Sequence, residues 1–419
     1  MNRFALLLLT LLSTSQSLYA APPLTLEDAL TVALKNHPQI TEARENLNGA
    51  EARTVQALAN YYPQVSFSAD WSKGRSFLTP LESIKQTEFN SEALCLKQTI
   101  YDFGRSSGAV AATRGYREAA DKALAATRQD VTLRVRSAFY LLLAAEKQVV
   151  AVRETVKARQ DVQRQAQEFF NQGIRSKVEL ARAEANYFTA KTALIRAENN
   201  CELSRVELAS AMGVATLEND VLAEPSPEAS ALPERSQVRQ EALSNRAELQ
   251  QLAALKTAVA ANLSSAKSGY LPILSGTASV GYAARDFPPA GHVWAVGLNL
   301  TVPLFSGFST PGQTREAQAI IGALEARRGN LRLQITREAE SAWLSGSEAA
   351  ARMVSIDKEV TAAKESQFLA EGRYQEGVGS IIEVTDAETL ALDAQTASIQ
   401  AKYDYDISLA RLERAVGKE

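Results

Sequence analysis

Two long segments of the chain carry apolar residues at alternating spacings of four and three positions. They cover residues 131–156 and 335–360, and the second uses smaller residues at many of these positions. This spacing places the apolar side chains on one stripe of a helix and is typical of a coiled-coil seam. No proline occurs between Pro80 and Pro225 or after Pro311, and an interior proline costs a helix about 3 kcal/mol. The sequence therefore predicts very long helices.

Four shorter segments alternate apolar and polar residues with the period of two that strands show. We expect strands at about 64–73, 92–101, 273–284 and 292–302. In the last of these, Trp294 and Leu298 lie on one face and Asn299 lies on the other. The lengths match the 9–11 residues that a tilted strand needs to cross a bilayer. An edge strand of a soluble sandwich has the same pattern, so the alternation alone leaves both interpretations open.

The chain contains the same unit twice. Residues 36–40 align with 245–249 at an offset of 209, and Gly173 and Met212 align with Gly377 and Val416 at an offset of 204. We therefore predict two tandem copies at 21–213 and 233–419, joined by a proline-bearing linker at 214–232. Each copy reads as helix, strand, strand and two long helices. The long helices are expected at about 105–171, 174–212, 312–375 and 378–416.

The N-terminal segment has the layout of a secretory signal peptide. Arg3 precedes the apolar run 4–12, and small residues at Ala20 and Ala21 offer a cleavage site. The run has about half the length of a membrane-spanning helix, which needs about 20 apolar residues. We predict export, a signal peptide at 1–20 and a mature chain that starts at Ala21. No cysteine follows the apolar run, so a lipid anchor is not expected.

Composition excludes several classes of function. The net charge of −3 gives no basic surface for nucleic acid. His37 and His292 lie too far apart for metal-ligand spacing, and Cys95 and Cys201 cannot form a disulfide framework. No constellation of nucleophile and base or of metal ligands supports an enzyme, and we expect no cofactor. Arginines beside the seams, including Arg153, Arg159 and Arg164, are expected to lie on a solvated face.

Several motifs in this order resemble the TolC family of outer-membrane efflux and secretion channels. They include 26–40 (LEDALTVALKNHPQI), the Tyr62–Pro63 pair, 100–105 (IYDFGR) and its partner 303–307 (PLFSG). The most specific are 374–387 (YQEGVGSIIEVTDA) and its partner 170–180 (FNQGIRSKVEL). The resemblance covers essentially the whole mature chain.

The resemblance implies a mainly α fold with a membrane β-barrel. Three copies would each give four strands to a shared twelve-stranded barrel, and the barrel would continue as a long α-helical coiled-coil tunnel. It implies the outer membrane of a Gram-negative bacterium, with a periplasmic helical portion. In agreement with the net charge, nucleic acid is not expected as a partner. The implied partners are outer-membrane lipid, a periplasmic adaptor protein and an inner-membrane transporter. Such a channel is the passive exit duct of an efflux pump or a type I secretion system.

The resemblance also implies roles for residues near the two glycine motifs. Glu383 and Asp386 occupy the positions of acidic rings that narrow the pore. Tyr374 and Glu179 match a tyrosine and an acidic partner that hold neighbouring helices closed. One family member has an arginine where this chain has Gly379, and Arg175 in the first copy is a candidate substitute. Solvated surface charges are the alternative interpretation of these side chains.

Two classes of function therefore stay open at the sequence level. One is the trimeric outer-membrane channel that the resemblance implies. The other is a periplasmic coiled-coil structural protein without a pore.

Overall fold

A computed structural model describes residues 23–78, 83–217, 221–225 and 232–418. The predicted signal peptide at 1–20 lies outside the described residues, as does much of the predicted linker at 214–232. The first copy contains α1 (Leu26–Asn36), α2 (Pro38–Leu58), β1 (Gln64–Leu78), β2 (Ser83–Tyr101), α3 (Arg105–Asn171) and α4 (Lys177–Met212). The second contains α5 (Arg235–Asn245), α6 (Ala247–Lys267), β3 (Ile273–Ala284), β4 (Gly291–Thr301), α7 (Ser309–Gln375) and α8 (Ile381–Ala415).

The described chain is mainly helical, with a small antiparallel sheet. The four strands pair in the order β1-β2-β3-β4, so β1 and β4 are the edges of the sheet. The helices α3 and α7 each have 67 residues, which at 1.5 Å per residue corresponds to about 100 Å. The prediction of a mainly α fold is confirmed.

The first two strands are longer than the sequence predicts. The strand β1 ends at Leu78 rather than at 73, and β2 begins at Ser83 rather than at 92. The additional segments contain mostly polar residues, such as Arg75 paired with Gln86. Apolar alternation marks only the parts of a strand that meet an apolar surface. The backbone ladder continues past these parts because its hydrogen bonds need no apolar side chains.

Several helix ends and one strand also differ from the predicted bounds. The helices α4 and α8 begin at Lys177 and Ile381 rather than at 174 and 378, because a five-residue turn follows each long helix. The helix α7 begins at Ser309 rather than at 312, since Pro311 lies in its first turn, where the missing N–H is not needed. The strand β4 covers Gly291–Thr301 rather than 292–302.

The predicted seams form the helix-packing interface. The seam residues of α3 from Val131 to Val152 are buried, and Ile335 and Ala339 of α7 are fully buried. On α4, Cys201 is buried in the same core, as a filler of packing space. The helices α3 and α6 approach so closely that a Cβ at Gly115 would lie 2.8 Å from the Cβ of Ala258.

A short strap between the two copies is bound to both of them. Within 221–225, Leu222 is buried in the core, and the backbone N–H of Leu24 donates to the Val221 carbonyl at 2.8 Å. Glu224 forms ion pairs with Lys147 of α3, at 3.1 Å, and with Lys402 of α8. The strap therefore connects the long helices of both copies near their middle.

A buried ion cluster holds the end of α8 against α6 and α3. Glu248 accepts from Arg246 Nε at 3.0 Å and from Arg414 Nη2 at 2.5 Å, and Arg414 Nε donates to Asp130 at 2.7 Å. Burial would raise the pKa of Glu248, but the hydrogen bonds from the two arginines lower it to about 2. The ionised carboxylate therefore stabilises the fold fully at pH values above about 4.5, which is the usual pKa of a glutamate.

We expect Glu248→Gln to lower the free energy of unfolding at pH 7 by about 2 kcal/mol, because it removes the carboxylate that the buried Arg246 and Arg414 share. The wild-type contribution is lost as the pH falls through about 2, so the difference between the two proteins should shrink between pH 4.5 and 2. Thermal unfolding in detergent, followed by circular dichroism, measures both effects. Glu207→Gln, at an exposed position on α4, is the control. An equal loss in the control would contradict this role for Glu248.

Candidate functional site

The sheet has one continuous apolar face. Directly paired residues of an antiparallel sheet point to the same side, and the register aligns Val65, Leu96, Ala278 and Val296 in one row across all four strands. The next row has the same character. The apolar sheet face comprises Val65, Phe67, Trp71, Leu94, Leu96, Val280, Trp294, Val296, Leu298 and Leu300. Their exposed fractions run from 38% at Leu96 to 76% at Val296.

The opposite face of the sheet carries small and polar residues. It includes Ser66, Ser68, Thr277, Ser279 and Asn299. A sheet that exposes a large apolar area on one side and polar groups on the other meets different environments on its two faces. The sequence predicted the sides of Leu298 and Asn299, and the register extends this assignment to the whole sheet.

The two helix turns at the far end of the long helices form a second site. The first turn follows Gly173 and the second follows Gly377, whose φ angles of +75° and +79° end α3 and α7. Arg175 of the first turn donates from Nη2 to the carbonyls of Gly377 and Gly379, at 2.9 and 2.8 Å. One side chain thus connects the turns of the two copies. We call this group, with Tyr374 and Glu179, the turn cluster.

Tyr374 and Glu179 both lie close to Arg175. The Arg175 Nε is 3.7 Å from a carboxylate oxygen of Glu179, and its guanidinium carbon is 5.8 Å from the centre of the Tyr374 ring. Burial and the nearby Glu179 carboxylate raise the pKa of Tyr374, so its hydroxyl keeps the proton. That hydroxyl is buried and has no hydrogen-bond partner among the described residues. The structure thus brings the three residues together through the arginine.

Gly379 has no room for a larger residue in this backbone. A Cβ at this position would lie 2.9 Å from the Tyr374 nitrogen and 3.0 Å from the Arg373 carbonyl carbon. Since this backbone cannot carry an arginine side chain at position 379, the cation of the turn cluster comes from the first copy.

Glu383 and Asp386 lie at the start of α8 and are exposed. The N–H of Glu383 donates to the Ser380 hydroxyl at 3.2 Å, which caps the helix. The Glu383 carboxylate is 3.2 Å from Arg373 Nε of α7, a partner that the sequence motif did not indicate. Asp386 forms no ion pair with any residue that the structure describes. Three positions apart, the two carboxylates lie on the same side of the helix.

One expectation about the arginines is wrong. Arg153 and Arg164 are exposed, but Arg159 is only 8% exposed and contacts the equally buried Glu388 of α8. The seam pattern gave no signal for this, because α3 meets α8 at this level with a second face. A buried ion pair can be predicted only if both partners are known to lie together, and Arg159 and Glu388 are far apart in the sequence.

The described residues contain no group of three or more His, Cys, Asp or Glu side chains that could hold a metal ion. No helix in the described ranges is long and apolar enough to span a membrane.

A sequence model of the family described as outer membrane efflux protein matches residues 29–214 and 238–418, which is most of the chain. The chain belongs to the outer membrane efflux protein family. Membership places the protein in the outer membrane, and the family consists of channels rather than enzymes. The resemblance to the TolC family is confirmed.

Relatives within the outer membrane efflux protein family cover nearly the whole chain. It is 25% identical over 398 residues to the outer membrane protein TolC of Vibrio cholerae, with 92% of this chain and 89% of that protein covered. It is 23% identical over 414 residues to the alkaline protease secretion protein AprF of Pseudomonas aeruginosa, with 93% and 83% covered. The fold matches the outer membrane channel CmeC of Campylobacter jejuni with a TM-score of 0.84 and 20% identity, over 94% and 85% of the two chains.

Proposed function

We propose that three copies of this chain form a channel through the outer membrane, with a twelve-stranded barrel continued by a helical tunnel. The apolar sheet face carries this proposal, because its exposed side chains fit the hydrocarbon of a lipid bilayer. Four strands cannot close a barrel, and each unpaired backbone group at an open edge costs several kcal/mol in lipid. The edges β1 and β4 would pair between neighbouring copies, and three copies would close the ring.

Exposed apolar residues on the edge helices support the same assembly. We call the part of the helices between the strap and the turn cluster the lower half, and the part between the strap and the sheet the upper half. In the lower half α3 and α8 pack together, so α4 and α7 are left at the two sides. The helix α4 exposes Phe188, Ile195 and Val206, and α7 exposes Val354 and Phe368. These side chains would pack between α4 of one copy and α7 of the next.

Charges in the upper half are complementary between the proposed neighbours. The edge helices there are α2 and α7. Arg327 and Arg328 of α7 have no ion pair with the described residues, and exposed Glu42 and Glu45 lie on α2. The Lys256–Glu325 ion pair shows that this part of α7 lies beside Lys256 of α6. The helix α2 is the counterpart of α6 in the first copy, at an offset of 209 residues, so Glu42 and Glu45 are expected at the same height along the channel axis. The arginines of one copy would therefore face the carboxylates of the next.

The channel would act as a passive exit duct, opened by rearrangement of its helices when partners dock. The relatives named for efflux and secretion support a periplasmic adaptor protein and an inner-membrane transporter as these partners. The turn cluster would hold the periplasmic end closed, with Arg175, Tyr374 and Glu179 as its latch. The alternative, a periplasmic coiled-coil protein without a pore, leaves the apolar sheet face without an apolar environment.

Glu383 and Asp386 would line the constriction, with six carboxylates around the axis of the trimer. We expect Glu383→Ala combined with Asp386→Ala to reduce the preference for cations in planar-bilayer recordings, because carboxylate rings select cations. Inhibition by multivalent cations should also disappear, since these ions need clustered carboxylates.

The recordings use the purified detergent-soluble protein, whose trimeric mass is measured beforehand. Asp357→Asn, at an exposed position on α7, is the control. Unchanged selectivity and block in the double variant would show that the two carboxylates are ordinary surface charges. A monomer that is fully soluble without detergent would contradict the channel itself.

A further inference from the structure

A buried ion pair lies in the lower half of the chain, between the strap and the turn cluster. Arg159 Nε of α3 is 3.4 Å from a carboxylate oxygen of Glu388 on α8. The two residues are 8% and 4% exposed. Such a pair is costly to bury and contributes little net stability, so it is better explained by the orientation that it imposes.

Hydrogen bonds extend this pair to three helices. Arg159 donates from Nη2 to the Thr389 hydroxyl of α8 at 3.1 Å, and from Nη1 to the Asn186 carbonyl of α4 at 3.4 Å. The Asn186 amide in turn donates to the Thr385 hydroxyl at 2.9 Å. These contacts lie on one side of α8 and fix the rotation of that helix against both α3 and α4.

The two proposed constriction carboxylates lie on the side of α8 that is turned away from Glu388. At 3.6 residues per turn, Glu388 lies about 140° around the helix from Glu383 and about 200° from Asp386. The exposure of the side chains agrees with this geometry, since Glu383 and Asp386 are exposed and Glu388 is buried. Any rotation of α8 that withdraws Glu388 from Arg159 also turns the two carboxylates away from their direction.

We propose that Arg159 and Glu388 are positioning residues for the constriction, which hold α8 so that Glu383 and Asp386 point away from the α3–α8 interface. This inference rests on the proposed channel function. It assigns the orientation of the constriction to a pair of residues outside the turn cluster.

The ionisation of Glu388 should make the opening of the channel depend on pH. Burial raises the pKa of Glu388 to about 7, against the attraction of Arg159, and Glu371 of α7 adds to the rise. The helix α4 faces this site with the uncharged Asn186 amide. A packed conformation with the raised pKa binds the proton more tightly than an open one in which Glu388 is hydrated. Acid therefore favours the packed conformation, and a pH above 7 favours opening.

The test is a recording of the wild-type channel in planar bilayers between pH 6 and 8. With a pKa of about 7 when packed and about 4.5 when hydrated, the ratio of open to closed protomers should rise about tenfold over this range. Glu388→Gln carries a neutral side chain at every pH, so its response should be lost and its conductance should stay low. Glu154→Gln, which removes an exposed carboxyl group from α3, should keep the wild-type response.

A second variant tests the positioning itself. Arg159→Met removes the ion pair with Glu388 and the hydrogen bond to Thr389 that join α3 to α8 at this site. We expect the half-blocking concentration of hexamminecobalt to rise roughly tenfold, because the carboxylates converge less well. Arg164→Met, at an exposed position whose ion pair is with Asp161 of the same helix, should block as the wild type does. Heat-resistant trimers on gels verify assembly.

The outcomes separate the two proposals. A wild-type protein that conducts at no pH overturns the channel itself. A conducting wild type without a pH response, or a Glu388→Gln variant that keeps one, overturns the positioning role alone. If Arg159→Met fails to assemble, the positioning role is tested by whether Glu388→Gln loses the pH response of the conductance.

Discussion

We expect Leu298→Arg to prevent assembly of the protein in the outer membrane. Leu298 is 75% exposed on the apolar sheet face, within the edge strand β4. An arginine on the lipid side near the bilayer midplane costs about 2–4 kcal/mol. A threefold assembly repeats this cost three times. The amount of heat-resistant trimer in outer-membrane fractions measures the effect.

The neighbouring position gives a matched control. Asn299→Arg places the same side chain on the polar face of the same strand, where water is expected, so assembly should be nearly normal. Equal losses in the two variants would show that the assignment of the two sheet faces is wrong. Normal assembly of both would argue against lipid contact at this strand.

We expect Arg175→Ala to open the periplasmic end and to raise single-channel conductance. The substitution removes both hydrogen bonds to the Gly377 and Gly379 carbonyls, so that the two copies are held together at the turns by apolar packing such as that of Phe169 on Tyr374. Hydrogen bonds from a charged donor contribute about 1.5–3 kcal/mol each, which is enough to shift a closed state that is favoured by a few kcal/mol. Planar-bilayer conductance at fixed pH and salt measures the change.

Tyr374→Phe combined with Glu179→Ala should raise the conductance less than Arg175→Ala does. The Tyr374 hydroxyl has no hydrogen-bond partner among the described residues, and Glu179 contacts the arginine rather than the opposite turn. Arg182→Ala, at an exposed position on α4, should leave the conductance unchanged. A larger effect from the double variant than from Arg175→Ala would show that the tyrosine and not the arginine holds the turns together.

The sequence predicts those parts of the fold that depend on a repeated apolar spacing. The seam from Val131 to Val152 is buried along its length because a 4-3 pattern determines one face of a helix without knowledge of its partner. The polar half of β2, from Ser83 onwards, has no such pattern and is a strand because β1 lies beside it. Its length is a property of the pair, which neither segment shows alone.

The candidate site could likewise be predicted only in part from the sequence. The turn residues Tyr374, Glu179 and Arg175 could be selected from a motif that occurs in both copies. Their arrangement could not be predicted, because Arg175 reaches the carbonyl groups of a turn about 200 residues later in the chain. The environment of Arg159 was predicted wrongly, since only the packing of α3 on α8 takes that side chain out of water.

The strap at 221–225 ties the long helices together near mid-length, so a small tilt there would move their ends by a larger distance. Glu224 contacts Lys147 of α3 and Lys402 of α8, and the turn that follows Asn171 lies about 36 Å further along α3, at 1.5 Å per residue. With the strap as a pivot, a tilt of about 10° would carry the turn sideways by about 6 Å, more than a turn of helix rises. A small change of angle at mid-length would thus become a large displacement at the end of the helix.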